Sequence, residues 1–229
     1  LNKDCIVGES FSNYVDEENI VIWISITPNR IDCAGINGIA RDLAASGFGK
    51  FLRKNNKSIN NNFDSSIIIN NELKDSLCPQ FYGRIIKNVS NKSSPGWMQQ
   101  RFKSSGIKII SSLVDVTNFI TFDYCRPLHV FDVDKIKGNL RIRLSKKGEN
   151  FKGLDGVSYK LENDMIVICD DNGIISLAGI MGGLSTACDE NTKNVFVESA
   201  YFDPTSIAIS GRKLNITSDA RYRFERGID

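Results

Sequence analysis

The sequence predicts an α+β fold, with mixed β-sheets layered with helices behind a smaller helix-containing unit. Three observations carry this. From about residue 66 onward, short β-branched runs alternate with capped helical stretches, in an order that is neither a repeat nor a strand–helix–strand array. A polar, asparagine-rich stretch, KNNKSINNNFDS, separates that region from an earlier helical signal. A chain of 229 residues, 41% hydrophobic and 24% charged, can bury a substantial core without disulfides or metals. The expected division is a first unit at 1–54, a linker at 55–65 and a main unit at 66–229.

In chain order, Asn19 to Ile26 (NIVIWISI) has the β-branched content of a strand and leads into the TPNR turn. Asp32 is placed to cap a helix. From Cys33 to Ala45 the residues Ile36, Ile39, Ala40 and Leu43 recur at three- and four-residue spacing, and Gly47 stands where that helix should stop. In the main unit Ser94-Pro95 reads as a capping serine and first-turn proline, with Trp97, Met98, Arg101 and Phe102 along one helical side and Gly106 at its end. Leu113 to Tyr124 is a second helical stretch. Leu140 to Leu144, Met165 to Cys169, Ile174 to Ile180 and Asn194 to Phe202 read as strands. Asp203-Pro204 and Ser218-Asp219 each open a helix, the latter closed by Gly227.

Bulk properties narrow the function classes. The six cysteines, 5, 33, 78, 125, 169 and 188, show no CxxC spacing, and one histidine cannot complete a zinc site, so reduced thiols are expected. No basic-then-apolar leader and no apolar run of about 20 residues is present, so a cytoplasmic protein without a membrane partner is expected. The absent initiator methionine suggests a piece of a longer polypeptide. Net charge is +2; residues 1 to 76 hold 8 basic and 10 acidic groups, which leaves 21 and 17 for the rest. That bias is compatible with a local RNA contact but not with gripping a duplex unaided.

Candidate chemistry gathers at a few positions. A lone histidine is ordinarily a satisfied structural or surface residue, but Pro127 fixes the turn before His129 and Phe131 anchors the segment, which would hold the imidazole at an element boundary. Period-two alternation puts Glu198 on the same strand face as Phe196 and Ala200, where a carboxylate needs a donor, from the protein or from a ligand. It could also be a rim glutamate at a strand end. Ser218-Asp219-Ala220 opens the last helix, either as a plain N-cap or as a polar end facing a carbonyl or phosphate. Gly179, Gly182 and Gly183 in AGIMGGLS permit close approach by a ligand but form neither a P-loop nor GxGxxG. Arg221 and Arg223 lie in an aromatic–guanidinium run suited to RNA, with one of Tyr222 and Phe224 in the core. Serine-triad and thiol chemistries have no supporting motif, and a metal-dependent hydrolase lacks ligands.

Taken together, the strings TPNR-x-D with GIARDLAA, VDVTNF, P-x-H-x-FD, GIMGG, VESAYFDP and RFERGID, in this order, resemble the β subunit of bacterial phenylalanyl-tRNA synthetase across essentially the whole chain. The resemblance implies a B1 remnant at 1–54 and a B3/B4 tRNA-editing domain at 66–229, which hydrolyses tyrosine wrongly attached to tRNA(Phe). On that resemblance Glu198 accepts a hydrogen bond from the tyrosine hydroxyl beside Gly182, His129 positions the ester or its water, and Asn118 supports the pocket. Ala220 leaves room for substrate and Ser218 holds the terminal adenosine or ester end. Arg221 and Arg223 are read as weak tRNA contacts from the aromatic–guanidinium run itself, and Arg221, next to Ala220, either meets tRNA phosphate or crowds the entrance. The resemblance further implies partners, the tRNA(Phe) acceptor end and an α subunit in an α2β2 assembly. No cofactor or metal is implied here, whereas the whole enzyme attaches phenylalanine to tRNA using ATP and Mg2+. Four places depart from the family pattern: Ser218 for threonine, Arg221 for a small residue, Cys125-Arg126 for Gly-Gln, and GIKII for a GIRPI-like string. The competing expectation is a structural, tRNA-contacting module whose editing has decayed; retention of His129 and Glu198 favours the hydrolase.

Overall fold

The computed structural model describes residues 5–10, 21–53, 58–74 and 76–228. The chain is α+β as the sequence predicts, and the described residues place their strands in three sheets. A five-stranded mixed sheet has the order β1-β4-β7-β8-β9, built from β1 (Ile69–Asn71), β4 (Leu140–Leu144), β7 (Ile166–Asp170), β8 (Gly173–Leu177) and β9 (Met181–Gly182). A three-stranded antiparallel sheet has the order β2-β10-β3, from β2 (Gln80–Ile86), β3 (His129–Asp132) and β10 (Val195–Tyr201). β5 (Asn150–Lys152) and β6 (Ser158–Lys160) form a separate hairpin.

All five residues of β7 are buried, which its unbroken apolar run foreshadows; it lies between β4 and β8 with both faces covered. β10 alternates instead: Phe196, Glu198 and Ala200 are buried, while Val197, Ser199 and Tyr201 are half-buried. The two large sheets share one core, in which Leu140, Ile142, Ile166 and Ile168 meet Phe131 and Phe196, and Phe202, Ile207 and Phe224 close it from the C-terminal helices. Each such side chain contributes about 1.5–3 kcal/mol on leaving water.

Helices α1 (Ile36–Ala45), α2 (Gly96–Ser104), α3 (Ser112–Tyr124), α4 (Pro204–Lys213) and α5 (Asp219–Phe224) sit where the sequence signals fall. Asp203 caps α4 by accepting from the Ser206 amide, and Gly47, at φ +84°, ends α1 with its amide on the Ala44 carbonyl.

Four local expectations fail. Ile20 and its predecessor lie outside the described residues, and Val21 to Ile26 is no strand: no described strand pairs with it, and Val21, Ile22, Trp23 and Ile24 are exposed. Asp32 does not cap α1; Gly35 holds that position, and Asp32 forms ion pairs with Arg30 and Arg41 within and beyond a 3-10 turn, Ile31–Ala34. Pro95 is itself the N-cap of α2, because Ser94 spends its hydroxyl on the buried carboxylate of Asp115. Only Met98 and Phe102 of the expected apolar side are buried; Trp97 is exposed, edge-on to Phe119 with the Arg101 guanidinium over its ring. Of the expected linker, 58–65 carries no helix or strand and 54–57 lies outside the described residues.

The segment 31–37 docks on α3 and α5 and the residue after α3. Asn37 donates to the Asp123 carbonyl, the Cys125 thiol to the Ile31 carbonyl and the Arg223 guanidinium to the Ala34 carbonyl. Gly35 is required there, since a Cβ would stand 2.5 Å from the Cys125 amide nitrogen.

Candidate functional site

The antiparallel register of β3 and β10 sets His129 directly opposite Glu198, and on its other edge β10 sets Glu198 opposite Gly83 of β2. Directly paired residues point to the same face of a sheet. The only imidazole in the chain and a buried carboxyl therefore share one wall of a cavity of about 290 Å3. Pro127 and Leu128 continue that wall, Gly179 to Gly182 form another, and Ser218, Ala220 and Phe224 bring α5 to it.

Glu198 is 6% exposed; its Oε2 is wholly buried and has no hydrogen-bond partner. Burial pushes its pKa up to about 8, so the carboxyl holds its proton at neutral pH. The same cause acts oppositely on His129, whose pKa falls to about 4, leaving a neutral ring. The ring stands edge-on to Phe131, with centroids 4.4 Å apart, and keeps some exposure on its cavity side. A neutral imidazole offers one donor and one acceptor nitrogen, enough to orient a water or a carbonyl.

Gly182 is the third fixed point. A Cβ there would lie 2.2 Å from His129 Cε1 and 2.5 Å from Nε2, so the ring rests directly on the glycine backbone. The strand-to-turn passage that delivers it depends on Gly179 at φ +67°, where side chains are disfavoured and where Phe202 and Phe224 already crowd the position.

Ser218 behaves as the plain cap: its hydroxyl accepts from the Arg221 amide and donates to the Ile180 carbonyl at 2.7 Å. It thereby ties α5 to the glycine turn. Asn118, on α3, is half-buried and does not line the cavity. Arg221 and Arg223, expected to face RNA, are turned inward. Arg221 binds Glu225 and the Ile216 carbonyl against Gly211, and Arg223, 4% exposed, binds Asp219 and Ala34 with its guanidinium over Phe122. In the same run Phe224 is the core aromatic and Tyr222 the exposed one, covered by Arg226.

Leu154 is a cavity residue that sequence patterns give no reason to select. It sits in the turn between β5 and β6, donates its amide to the Gly182 carbonyl, and places its half-exposed side chain beside His129 and Gly182. A larger open hollow of about 700 Å3 lies between Ile59–Ser65 and β2, but none of its lining groups is a buried titratable side chain or a nucleophile held by a base. The six cysteines form no disulfide. Among the described residues no three His, Cys, Asp or Glu side chains cluster to hold a metal, and no helix is long and apolar enough to cross a membrane. The arrangement is a largely apolar cavity with one buried carboxyl and one neutral imidazole on the same wall.

Comparison with known proteins gives a family model for the "B3/4 domain" matching residues 77–229. The phenylalanine–tRNA ligase beta subunit of Bartonella henselae is 48% identical over 231 aligned residues, covering 100% of this chain and 29% of that protein. The corresponding subunit of Paramagnetospirillum magneticum is 52% identical with the same coverage. The chain thus spans about three tenths of the length of these relatives. A solved N-terminal fragment of the phenylalanyl-tRNA synthetase beta-subunit from Pyrococcus horikoshii aligns over 83% of this chain and 59% of its own at 17% identity, with a TM-score of 0.47, a likeness too slight to transfer detail.

Proposed function

Because this chain belongs to the B3/4 domain family, we propose that it is the editing region of a phenylalanine–tRNA ligase β subunit, and that its Glu198–His129 cavity hydrolyses tyrosine wrongly esterified to tRNA(Phe). The observation that carries the proposal is the unpartnered, buried Oε2 of Glu198 in the lining of a cavity of amino-acid size. An unsatisfied buried oxygen costs about 1–3 kcal/mol, a cost that a tyrosine hydroxyl removes and a phenylalanine ring does not. An aromatic synthetic pocket rejects an added hydroxyl only modestly, so a second pocket that requires the hydroxyl supplies the remaining discrimination.

In this mechanism the aromatic ring enters between Gly182 and Ala220 and its hydroxyl meets Glu198. His129, neutral and braced on Gly182, orients the water or the ester carbonyl rather than acting as a strong base. Water attacks the carbonyl carbon, the bond to the ribose oxygen breaks, and a proton passes to that oxygen. Ser218 contributes by fixing α5 against the glycine turn. Residues 1–54 and 66–229 then correspond to a remnant of one domain and a B3/B4 domain joined at 55–65. The partners of the whole enzyme are the tRNA acceptor end and an α subunit, and its ATP and Mg2+ belong to domains outside this chain.

The test is deacylation by the intact synthetase carrying this region. Tyr-tRNA(Phe) is hydrolysed faster than Phe-tRNA(Phe), and Glu198→Ala removes the difference. Equal rates for the two esters in the unmodified enzyme would falsify the proposal.

A further inference from the structure

With Arg221 and Arg223 turned inward, the exposed positive charge of this chain lies elsewhere. Between Asp75 and Asp115 no acidic residue occurs over 39 positions, whereas Arg84, Lys87, Lys92, Arg101, Lys103 and Lys108 all fall there, and all six are exposed. As the whole chain carries a net charge of +2, the rest of it is net negative. Asp115, the carboxylate that ends the stretch, is fully buried and taken up by the Ser94 hydroxyl and the Ile110 amide. Arg84 donates to the Asn61 side chain, Lys87 lies over the Phe63 ring and Arg101 over the Trp97 ring, and among the described residues none of the six pairs with a carboxylate.

Four of these cations sit on one excursion of the chain. The Lys92 amide donates to the Ser112 hydroxyl and the Ser112 amide to the Lys92 carbonyl, so the chain leaves and returns at one place with α2 between. Met98 and Phe102 anchor the inner side of α2, while Lys92, Arg101, Lys103, Lys108 and Trp97 stay outside. Complementing the negative end of a helix accounts for Arg101 and Lys103. It does not account for Lys92, Lys108 or a half-exposed tryptophan that carries a guanidinium. Cations without carboxylate partners around an exposed ring fit a phosphodiester chain with unstacked bases, in which phosphates take the charges and a base takes the ring. From the foot of the excursion α3 runs 13 residues, about 20 Å, toward the Pro127–His129 wall of the cavity. We infer that the α2 excursion is the RNA-docking surface of this chain. The unpaired strand that leads to the esterified end lies there, with phosphates on Lys92, Arg101 and Lys103 and a base against Trp97. The identity of the RNA rests on the ligase reading above, whereas the docking is tested without turnover.

Lysine acetylation of the chain, read site by site at low salt with and without uncharged tRNA(Phe), is the direct test. The RNA is expected to protect Lys92 and Lys103 severalfold more than the equally exposed Lys147 and Lys160, and poly-glutamate to protect neither pair. Uniform protection, no protection, or protection by poly-glutamate equal to that by tRNA overturns the inference, the last in favour of an acidic protein partner. In the intact synthetase, Lys92→Gln, Arg101→Gln and Lys103→Gln together are expected to raise KM for Tyr-tRNA(Phe) deacylation at least about fivefold with kcat unchanged. They also lower the dependence of log KM on log salt by about 2, at roughly 0.7 for each phosphate contact. Trp97→Ala raises KM and leaves that slope alone, as lost stacking should. The tyrosyl ester of adenosine has no strand to dock, so its hydrolysis is the same in variants and parent, and the NMR ring signal of the single imidazole stays in place. An equal loss on that small ester puts the defect in the cavity and counts against docking. Triple-variant KM and salt slope that match the parent's overturn the inference and leave editing intact. A parent without a tyrosine preference removes the hydrolytic reading and leaves the acetylation pattern to decide the docking.

Discussion

Burial acts in opposite senses on the two titratable groups that face each other across β3 and β10, holding a proton on Glu198 and off His129. The linkage signs follow. Between its ordinary value of 4.5 and about 8, Glu198 binds more proton in the folded state than in the unfolded one, so its contribution to stability declines as pH rises through that window. His129 binds less when folded between about 4 and 6.5, so its contribution is lost as pH falls through that interval. Glu198→Gln removes the first effect. Thermal unfolding followed across pH is expected to show the variant gaining stability over the parent at pH 9, on the order of a few kcal/mol, with no gain at pH 4. Parallel stability curves for the two proteins would contradict this account of the carboxyl. The face of Glu198 was legible from alternation within one strand. Its partnership with His129 was not, because that depends on a register between strands far apart in the chain, which no local pattern encodes.

Elements misread from sequence failed for the same kind of reason. Ser94 and Asp32 have the chemistry of caps, yet each finds a stronger partner, Ser94 in Asp115 of α3 and Asp32 in two arginines. Asp203 and Ser218, with no such competitor, cap as expected. Asp115 accepts from the Ser94 hydroxyl and the Ile110 amide while fully buried, so Asp115→Ala is expected to cost about 3 kcal/mol by leaving both donors unpaired; denaturant unfolding measures it, and a loss below about 1 kcal/mol would show those donors find other acceptors. At α5, Ser218→Ala should cost about 1 kcal/mol of cap energy and loosen the glycine turn, whereas Ser218→Thr retains both bonds. A deacylation assay separates the two, with the threonine variant near the parent rate and the alanine variant below it. Gly182→Ala makes the sharper demand. Its Cβ occupies the space of the imidazole edge, so the ring signal should move and hydrolysis fall at least about tenfold, and a variant with an unmoved ring and full activity would refute the bracing role of this glycine.

At the scale of the whole molecule, the sequence conveyed the α+β class, the sites of the five helices and the main strands of the five-stranded sheet, all of which rest on periodicity and punctuation. It did not convey that residues 21–26 lack a ladder partner, nor that Arg221 and Arg223 serve the interior, because a guanidinium's surroundings are set by docking. Arg223 ties α5 to Ala34 while it binds Asp219 and lies over the Phe122 ring, and lysine cannot reproduce that fork. Arg223→Lys is expected to raise hydrogen exchange across Ile36–Ala45 while leaving the His129 ring signal in place; unchanged exchange would mean the other docking bonds suffice. The middle position of β10 has a different consequence. With backbone ladders on both edges, the strand that carries Glu198 cannot slide or tilt to meet a ligand, so the reach from cavity mouth to carboxyl is a length gauge set by main-chain geometry. Side-chain replacements along the walls can widen or narrow the passage, but they do not recalibrate that gauge.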